Sequence, residues 1–461
     1  MKILFIMYDN QSARNHMPVG PCYVAAYAKK HGYDDITYYS QDVYHYPEEH
    51  LTQYLSEKRF DVAAIGFAAG YYQYNKIKTI CDAINSAKNR PLIVLGGHGP
   101  TPEPAFFINE MGADVAVLGE GEVPFLNLLR ALESKTSLKN VKGVAYRDGE
   151  TVVVNEREQP IRDLDTIPFP YYDILPMEYY INSKLYGMSP TERMIYMVSS
   201  RGCNYHCNFC MRLEKGIRFR SAESIVDEIK KYKKDYRITF VHFVDELFMF
   251  SKKRAFELAE AFIKAQLNIK YFCTGRVNIA SPEILEIMKK SGCVFIDYGI
   301  EQFDNKALAA MNKQQTEEDI IRAIECTQEA GIFVAFNIIF GNLGDTPESL
   351  RKSLDLLKRY NDYGQLRTIR PVTPYPGSPL YYYAIENGLL KGPADFYEKH
   401  KNLELLAVNF TNIPDDEFHK LLMQANSDII TDYYNYMKEQ TIHSFREIYF
   451  EKNYDYRGAR H

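Results

Sequence analysis

The chain has no tryptophan among its 461 residues, and we interpret this absence, beside 37 tyrosines, as codon bias rather than as a functional signal. No apolar stretch approaches the roughly 18 residues that a membrane-spanning helix needs. The apolar run at the N-terminus stops at Tyr8, too early for the hydrophobic region of a signal peptide. Lys and Arg number 55 against 60 Asp and Glu, and no basic run is long enough for a nucleic-acid groove. These absences predict a cytoplasmic protein with no membrane span and no nucleic-acid partner.

A fourth cysteine is missing from the single cluster of cysteines in the sequence. Cys203, Cys207 and Cys210 form a C-x3-C-x2-C run directly after an apolar, strand-like segment at residues 194–198. Iron–sulfur clusters are usually held by four cysteines, so three in one loop leave one iron of a [4Fe–4S] cluster open to bind something else. The alternative is a zinc site completed by His206 or His242. Zinc ligands usually come as two separated pairs, and the sequence has no second pair, so the pattern favours the cluster.

This three-cysteine loop, with Phe209 before its last cysteine and Arg201-Gly202 before its first, resembles the signature of the radical S-adenosylmethionine (SAM) enzymes. The resemblance implies that Cys203, Cys207 and Cys210 hold the cluster and that Phe209 lies beside the cofactors. In that family SAM chelates the open iron, and one electron from the cluster cleaves it to a 5′-deoxyadenosyl radical that abstracts hydrogen from the substrate. An electron donor such as flavodoxin or ferredoxin is therefore an expected partner.

Short apolar runs alternate with helical patterns from residue 2 to about residue 133, with the runs at residues 2–7, 36–39, 62–67, 92–95 and 115–118. Strands separated by helices of this length predict a doubly wound parallel sheet that binds its ligand at the carboxyl ends of the strands. Glycine-rich loops follow the last three strands, and glycine there lets the backbone approach a ligand. The candidate ligand contacts in these loops are Gly66, Gly70, Gly96, Gly97, His98, Gly99, Thr101, Gly119, Glu120, Gly121 and Glu122.

The dinucleotide fingerprint G-x-G-x-x-G is absent after the first strand, which disfavours NAD. The front half instead resembles the cobalamin-binding domain that precedes the radical SAM domain in a large subfamily, and the matching stretches are residues 18–28, 96–101 and 119–122. The resemblance covers most of residues 1–390 and implies cobalamin as a cofactor. The D-x-H-x-x-G run that binds cobalt in many cobalamin proteins is missing, because position 11 is Gln. We therefore expect base-off cobalamin without a protein histidine on cobalt, and we interpret His16 and His98 as hydrogen-bonding loop residues.

Residues 141–155 predict a hairpin about Asp148-Gly149, and a proline-rich connector follows it. The alternation of strands and helices then restarts, with strands at residues 194–199, 238–244, 270–274, 294–298, 334–340 and 366–371. Six such units fit the partial barrel of the radical SAM family, in which chemistry occurs at the carboxyl ends of the strands. Residues 414–438 predict a helix. The predicted α/β organisation is a Rossmann-like cobalamin-binding domain at residues 1–140, a hairpin and linker at 141–190, a partial (β/α)6 barrel at 191–390 and a helical C-terminal region at 391–461.

Candidate SAM contacts follow the strands of the predicted barrel. The resemblance places Asp245 and Glu246 near the SAM amino group, for which a carboxylate is suited, and Arg276 near the SAM carboxylate. The other candidates are Glu301, in a glycine–glutamate element, and Phe340 and Gly341, which are expected to receive adenine. For each charged residue the alternative is a solvated loop charge or an ion pair at the rim of the barrel.

The combination of features implies an enzyme that methylates an unactivated carbon of a small-molecule substrate, using one SAM as methyl donor to cobalamin and a second as radical source. Two alternatives stay open. The same cofactors can carry out a radical cyclisation, ring contraction or rearrangement without net methylation, and the chain can be a non-catalytic cobalamin or iron–sulfur carrier. Nothing in the sequence names the substrate.

Overall fold

The computed structural model describes residues 1–9, 16–68, 70–185, 188–402 and 405–451. Gln11 lies outside these ranges. The strands of the first half are β1 (Ile3–Met7), β2 (Ile36–Ser40), β3 (Val62–Gly66), β4 (Leu92–Gly96), β5 (Val115–Val117), β6 (Val144–Asp148) and β7 (Thr151–Val154). Its helices are α1 (Val19–Lys30), α2 (Gln41–Tyr44), α3 (Glu48–Glu57), α4 (Tyr71–Asn85), α5 (Pro104–Met111) and α6 (Glu122–Glu133).

The first sheet has the strand order β2-β1-β3-β4-β5-β6-β7. Strands β1 to β5 are parallel, and their runs of buried apolar residues are continuous because helices cover both faces. The predicted hairpin forms as β6 and β7, but it extends this sheet in antiparallel pairing with β5 instead of belonging to the connector. The hairpin thereby pairs backbone groups of β5 that would otherwise form an open edge.

The connector at residues 156–193 contains the short α-helix α7 (Met177–Ile181) and two 3-10 turns, Leu164–Thr166 and Tyr172–Ile174, and it contacts both halves of the molecule. The Tyr171 N–H donates to the Cys22 carbonyl of α1 at 3.0 Å. The Tyr172 hydroxyl donates to the Tyr196 carbonyl in the second half at 2.9 Å. Because it is bonded to both sides, the connector fixes the two sheets relative to each other.

The second half contains the strands β8 (Met194–Met197), β9 (Ser200–Cys203), β10 (Gly216–Phe219), β11 (Phe240–Phe243), β12 (Lys270–Gly275), β13 (Cys293–Glu301), β14 (Phe333–Phe340) and β15 (Arg370–Pro371). Its helices are α8 (Ala222–Tyr236), α9 (Lys252–Lys264), α10 (Pro282–Lys290), α11 (Asn305–Ala310), α12 (Glu317–Glu329) and α13 (Pro347–Arg359). Six parallel strands lie in the order β8-β11-β12-β13-β14-β15, and β9 and β10 form a separate antiparallel hairpin. The sequential order of the parallel strands makes an open, partial barrel with its helices outside. The predicted fold class is confirmed.

The last barrel strand is shorter than the predicted residues 366–371, because only Arg370 and Pro371 pair with β14. The side chain of Asn426 takes the place of a strand partner just before them. Its amide accepts from the Ile369 N–H at 2.8 Å and donates to the Ile369 carbonyl at 2.9 Å. A helix from the C-terminal region therefore closes this edge of the barrel.

After the last barrel strand come α14 (Pro379–Glu386), α15 (Pro393–Lys399) and α16 (Asp415–Arg446), and a π-helical turn at Glu447–Glu451 continues α16. The predicted helix at residues 414–438 is confirmed and continues for about two further turns. Phe418, Leu422 and Ile429 of α16 are buried in the barrel core. Within the ranges that the structure describes, no helix is long and apolar enough to cross a membrane.

Candidate functional site

A cavity of about 710 Å³ lies between the two sheets, within the size range of small-molecule sites. On one side it is lined by the carboxyl ends of β1, β3, β4 and β5 and by the start of α1. On the other side it is lined by Tyr196 of β8 and Val198 just after that strand, by Arg201 and Gly202 of β9, and by Glu246 after β11. The carboxyl edges of the front sheet and of the barrel thus face one shared space.

The predicted front-loop residues divide into those that line the cavity and those that support its wall. The lining residues are Gly66, Gly96, Gly97, His98, Gly119, Glu120, Gly121 and Glu122. Gly70, Gly99 and Thr101 do not line the cavity, and their role as direct ligand contacts stays a prediction. The Thr101 hydroxyl, for example, donates to the Gly97 carbonyl at 2.7 Å and accepts from the Gly119 N–H at 3.0 Å, so it ties two of the loops together.

Close packing between two loops explains why position 97 is glycine better than the approach of a ligand does. Gly97 has φ +97°, and a Cβ there would lie 2.5 Å from the Phe67 carbonyl oxygen. Such a contact is not tolerated, so the loop after β4 can pass the loop after β3 only with glycine at this position. His98, the next residue, faces the cavity, and burial lowers the pKa of its imidazole.

Glu120 and Glu122 carry ion pairs across the boundary between the two halves, in addition to lining the cavity. Arg201 donates to Glu120 at 3.1 Å and to Glu122 at 2.6 Å. Arg218 of β10 also donates to Glu120, at 3.1 Å between Nη1 and Oε2. Because Arg201 is two residues before Cys203, these contacts connect the front loops directly to the cysteine loop.

The cysteine loop begins at the end of β9 and is held by hydrogen bonds on several sides. The Asn208 N–H donates to the Met311 carbonyl at 3.0 Å, and the Asn208 carbonyl accepts from the Leu380 N–H at 2.8 Å. The Asn208 and Asn342 side-chain amides bond to each other at 2.9 Å. Phe209 packs against the apolar cluster between the front domain and the C-terminal helices. The loop is thus a rigid support at the mouth of the barrel.

The three thiols lie close enough to interact electrostatically. Burial, together with the charges of Cys207 and Cys203, raises the pKa of the Cys210 thiol to about 12, although its surface reaches solvent. Burial also raises the pKa of Cys203. In the described part of the chain, no three Cys, His, Asp or Glu side chains converge on a point that would hold one metal ion.

The two histidines considered for a zinc site are engaged elsewhere. The Nδ1 atom of His206 lies 2.8 Å from Nη1 of Arg212, in a hydrogen bond. The ring of His242 stacks on Phe272 within the barrel, at 4.4 Å between centroids. Their positions give no support to zinc as the occupant of the cysteine loop.

The adjacent carboxylates Asp245 and Glu246 face different surroundings. Asp245 is 4% exposed, and it accepts from the Ser199 N–H and hydroxyl and from the Ser200 hydroxyl, at 2.6–3.1 Å. This corrects its prediction as a SAM contact, because its oxygens already fix the start of the cysteine loop. Glu246 lines the cavity, and burial and Glu120 raise its pKa. Glu246 is therefore the carboxylate that a ligand can reach.

Arg276 and Glu301 lie beside the cysteine loop with partners already in place. The Arg276 guanidinium sits 3.6 Å from the centre of the Tyr205 ring and donates to the Lys313 carbonyl. Glu301, at φ +67°, accepts from the Lys313 ammonium at 2.9 Å. Lys313 lies in the loop after α11 and is not part of any motif, so sequence reasoning missed it. Its ammonium also faces the Phe209 ring at 5.6 Å. The Arg276 and Lys313 cations lie beside the cysteine loop, where they would offset the negative charge of a thiolate-bound cluster.

Phe340 and Gly341 are covered by the C-terminal helix, which corrects their prediction as an adenine site. Phe340 is fully buried and stacks on Phe418 of α16, at 4.9 Å between centroids. Gly341 has φ +104°, and a Cβ there would lie 2.9 Å from the Phe418 ring. Its N–H donates to the Asp345 carboxylate at 2.8 Å. This turn therefore fastens α16 to the barrel.

Two protein-family models match the chain, the radical SAM superfamily over residues 197–357 and the B12 binding domain over residues 10–129. The chain therefore contains a B12 binding domain followed by a radical SAM domain. An uncharacterized methyltransferase of Pyrococcus horikoshii is 29% identical over 404 residues, which are 85% of this chain and 84% of that protein. An anaerobic magnesium-protoporphyrin IX monomethyl ester cyclase of Rubrivivax gelatinosus is 28% identical over 83% of this chain and 69% of its own.

Solved structures show the same fold. The radical SAM methyltransferase TsrM from Kitasatospora setae, with cobalamin and a [4Fe–4S] cluster bound, superposes with a TM-score of 0.69 over 85% of this chain and 80% of its own, at 16% identity. The cobalamin-dependent radical SAM enzyme OxsB superposes with a TM-score of 0.70 over 94% of this chain and 71% of its own, at 17% identity.

The cofactors of this enzyme are a [4Fe–4S] cluster, SAM and cobalamin. The structure fits them, because three soft thiol donors share one rigid loop and a cavity of about 710 Å³ opens onto the carboxyl ends of the front sheet. Which side chains contact SAM and cobalamin stays a prediction.

Proposed function

We propose that this enzyme is a methyltransferase that acts on an unactivated carbon of a small-molecule substrate. The observation that carries the proposal is the shared cavity, in which glycine-rich front loops face Gly202 and Glu246 beside the cysteine loop. A small molecule bound there can touch both cofactor sites at once. Transfer between two cofactors requires such an arrangement, since reacting atoms must come within about 3–3.5 Å.

The bound cofactors supply the difficult chemistry, with the cluster and SAM removing a hydrogen atom and cobalamin providing the methyl group. The protein orients the reactants and excludes water. Cys203, Cys207 and Cys210 bind the cluster, Glu246 receives the SAM ammonium, and Asp245 holds the Ser199–Ser200 turn that aims the loop. The Arg201 pairs with Glu120 and Glu122 keep the two cofactor sites at a fixed separation.

The products test this function. Anaerobic enzyme with cobalamin, SAM, substrate and a reductant or an electron donor such as flavodoxin or ferredoxin should form 5′-deoxyadenosine and S-adenosylhomocysteine in similar amounts. Formation of neither product would contradict any catalytic function and would favour a carrier.

A radical cyclisation or rearrangement without net methylation is the second candidate. It is favoured by the cyclase relative, whose similarity extends over 83% of this chain. Abundant 5′-deoxyadenosine with an unmethylated product and no S-adenosylhomocysteine would identify this reaction.

A further inference from the structure

Four aromatic rings form a row across neighbouring strands of the barrel. They are Tyr196 of β8, His242 of β11, Phe272 of β12 and Phe295 of β13, and each is in register with the next. Adjacent ring centroids lie 4.7, 4.4 and 4.8 Å apart along the row. The strand neighbours of His242, Val241 and Phe243, are fully buried, and Phe243 packs against Phe262 of α9. Because side chains alternate along a strand, the rings face the opposite, inner surface of the barrel.

The row begins at the shared cavity. Tyr196 lines the cavity, and its hydroxyl lies 2.9 Å from Nδ1 of His16, which comes from the front half and lines the same space. Phe272 and Phe295 are only partly buried. The inner surface of the barrel thus offers an aromatic wall that continues from the cavity.

Asp297 of β13 places a carboxylate on this inner surface. Asp297 alternates on β13 with Ile296 and Tyr298, which are fully buried, and the Tyr298 hydroxyl bonds to Thr327 of α12 at 3.0 Å. Asp297 therefore faces inward with the rings. The side-chain amide of Asn337, an exposed residue of β14, donates to its two oxygens at 3.2 and 3.4 Å.

Among the residues that the structure describes, no lysine or arginine forms an ion pair with Asp297. The nearby cations are already paired, Lys313 with Glu301 at 2.9 Å and Arg367 with Asp362 at 3.0 Å. Burial, and then the charge of Glu301, raise the pKa of Asp297 to about 6, so the group is mainly ionised at pH 7.5. A half-buried carboxylate without a cation is stabilised when a ligand brings one.

We propose that Asp297 binds an ammonium group of the substrate while the four rings pack against an apolar or aromatic part of the same molecule. The substrate class is therefore an amine with an apolar body. The ring faces add to the attraction, because aromatic quadrupoles favour cations. The Asn337 amide holds the carboxylate in place. This inference rests on the proposed function only in taking the inner surface of the barrel as the substrate side.

Benzylamine and benzoate test the inference, since they share one ring and carry opposite charges. In titrations of the reconstituted enzyme at pH 7.5, followed by ligand-detected NMR, benzylamine should bind at least ten-fold more tightly than benzoate. Asp297→Asn should weaken the binding of benzylamine at least ten-fold. Asp235→Asn, the same substitution at a surface carboxylate paired with Lys231, should leave it unchanged.

Equal binding of the two probes to the wild-type enzyme would overturn the inference, and that comparison does not depend on whether a variant folds. Unchanged benzylamine affinity in Asp297→Asn would overturn it too. If Asp297→Asn lost as much affinity for SAM as for benzylamine, the Asp297 carboxylate would be assigned to SAM binding instead. The proposed function is judged separately, by S-adenosylhomocysteine formation, so either conclusion can fail alone.

Discussion

At the scale of single residues, the neighbours Asp245 and Glu246 are expected to respond differently to the same loss of charge. Asp245→Asn removes a buried acceptor from Ser199 and Ser200 and should lower the free energy of unfolding by about 2–3 kcal/mol. Glu246→Gln should change stability by less than about 0.5 kcal/mol. It should nevertheless weaken SAM binding about ten-fold, because a charge-assisted hydrogen bond is lost. Denaturant titration and SAM binding measure the two effects, and the reverse pattern would contradict the assignment.

The cysteines can be separated into cluster ligands and structural thiols by substitution. Replacing Cys203, Cys207 and Cys210 with Ala should abolish the iron–sulfur absorbance and SAM cleavage of anaerobically reconstituted protein. Cys326→Ala, in α12, is the matched control and should leave both unchanged. A full complement of iron and sulfide in the triple variant would show that the ligands had been assigned wrongly.

At the scale of elements, alternation of apolar runs and helices was enough to predict the parallel sheets, because the strands of the front sheet are continuous apolar runs and the strands of the barrel are separated by helical patterns. The β9–β10 hairpin was missed, since its Ser200–Cys203 strand has the composition of a loop and its partner lies beyond the cysteines. The roles of Asp245 and Phe340 were also unpredictable. Sequence places both at strand ends, but only the fold shows that Ser199 and Phe418 already occupy the space beside them.

The C-terminal helix α16 is expected to be part of the barrel core and not an appendage. Phe418 is fully buried against Phe340 and Gly341, so Phe418→Ala should lower the free energy of unfolding by about 3–5 kcal/mol. Tyr434 lies on the same helix and is 60% exposed, so Tyr434→Ala should have little effect. Thermal or denaturant unfolding followed by circular dichroism compares them. Equal effects of the two substitutions would mean that α16 does not pack on the barrel.

At the scale of the whole molecule, Glu120 joins the front domain to the cysteine hairpin. Glu120→Gln removes the carboxylate partner of Arg218 and one of the two carboxylate partners of Arg201, which keeps Glu122. The substitution should weaken the contact by about 2 kcal/mol, below the cost for a fully buried pair. Limited proteolysis of the connector at residues 156–193 should become faster. Glu286→Gln, at an exposed pair with Lys290, should not change the rate. Unchanged proteolysis in Glu120→Gln would show that the halves are held by other contacts.

The most direct test of methyl transfer needs no knowledge of the substrate. Reconstituted enzyme with a measured amount of bound cobalamin is reduced anaerobically, given excess SAM, and analysed for S-adenosylhomocysteine. A methyltransferase should form S-adenosylhomocysteine in an amount equal to the bound cobalamin, and none when cobalamin is left out. Formation of 5′-deoxyadenosine without any S-adenosylhomocysteine would contradict the methyltransferase proposal.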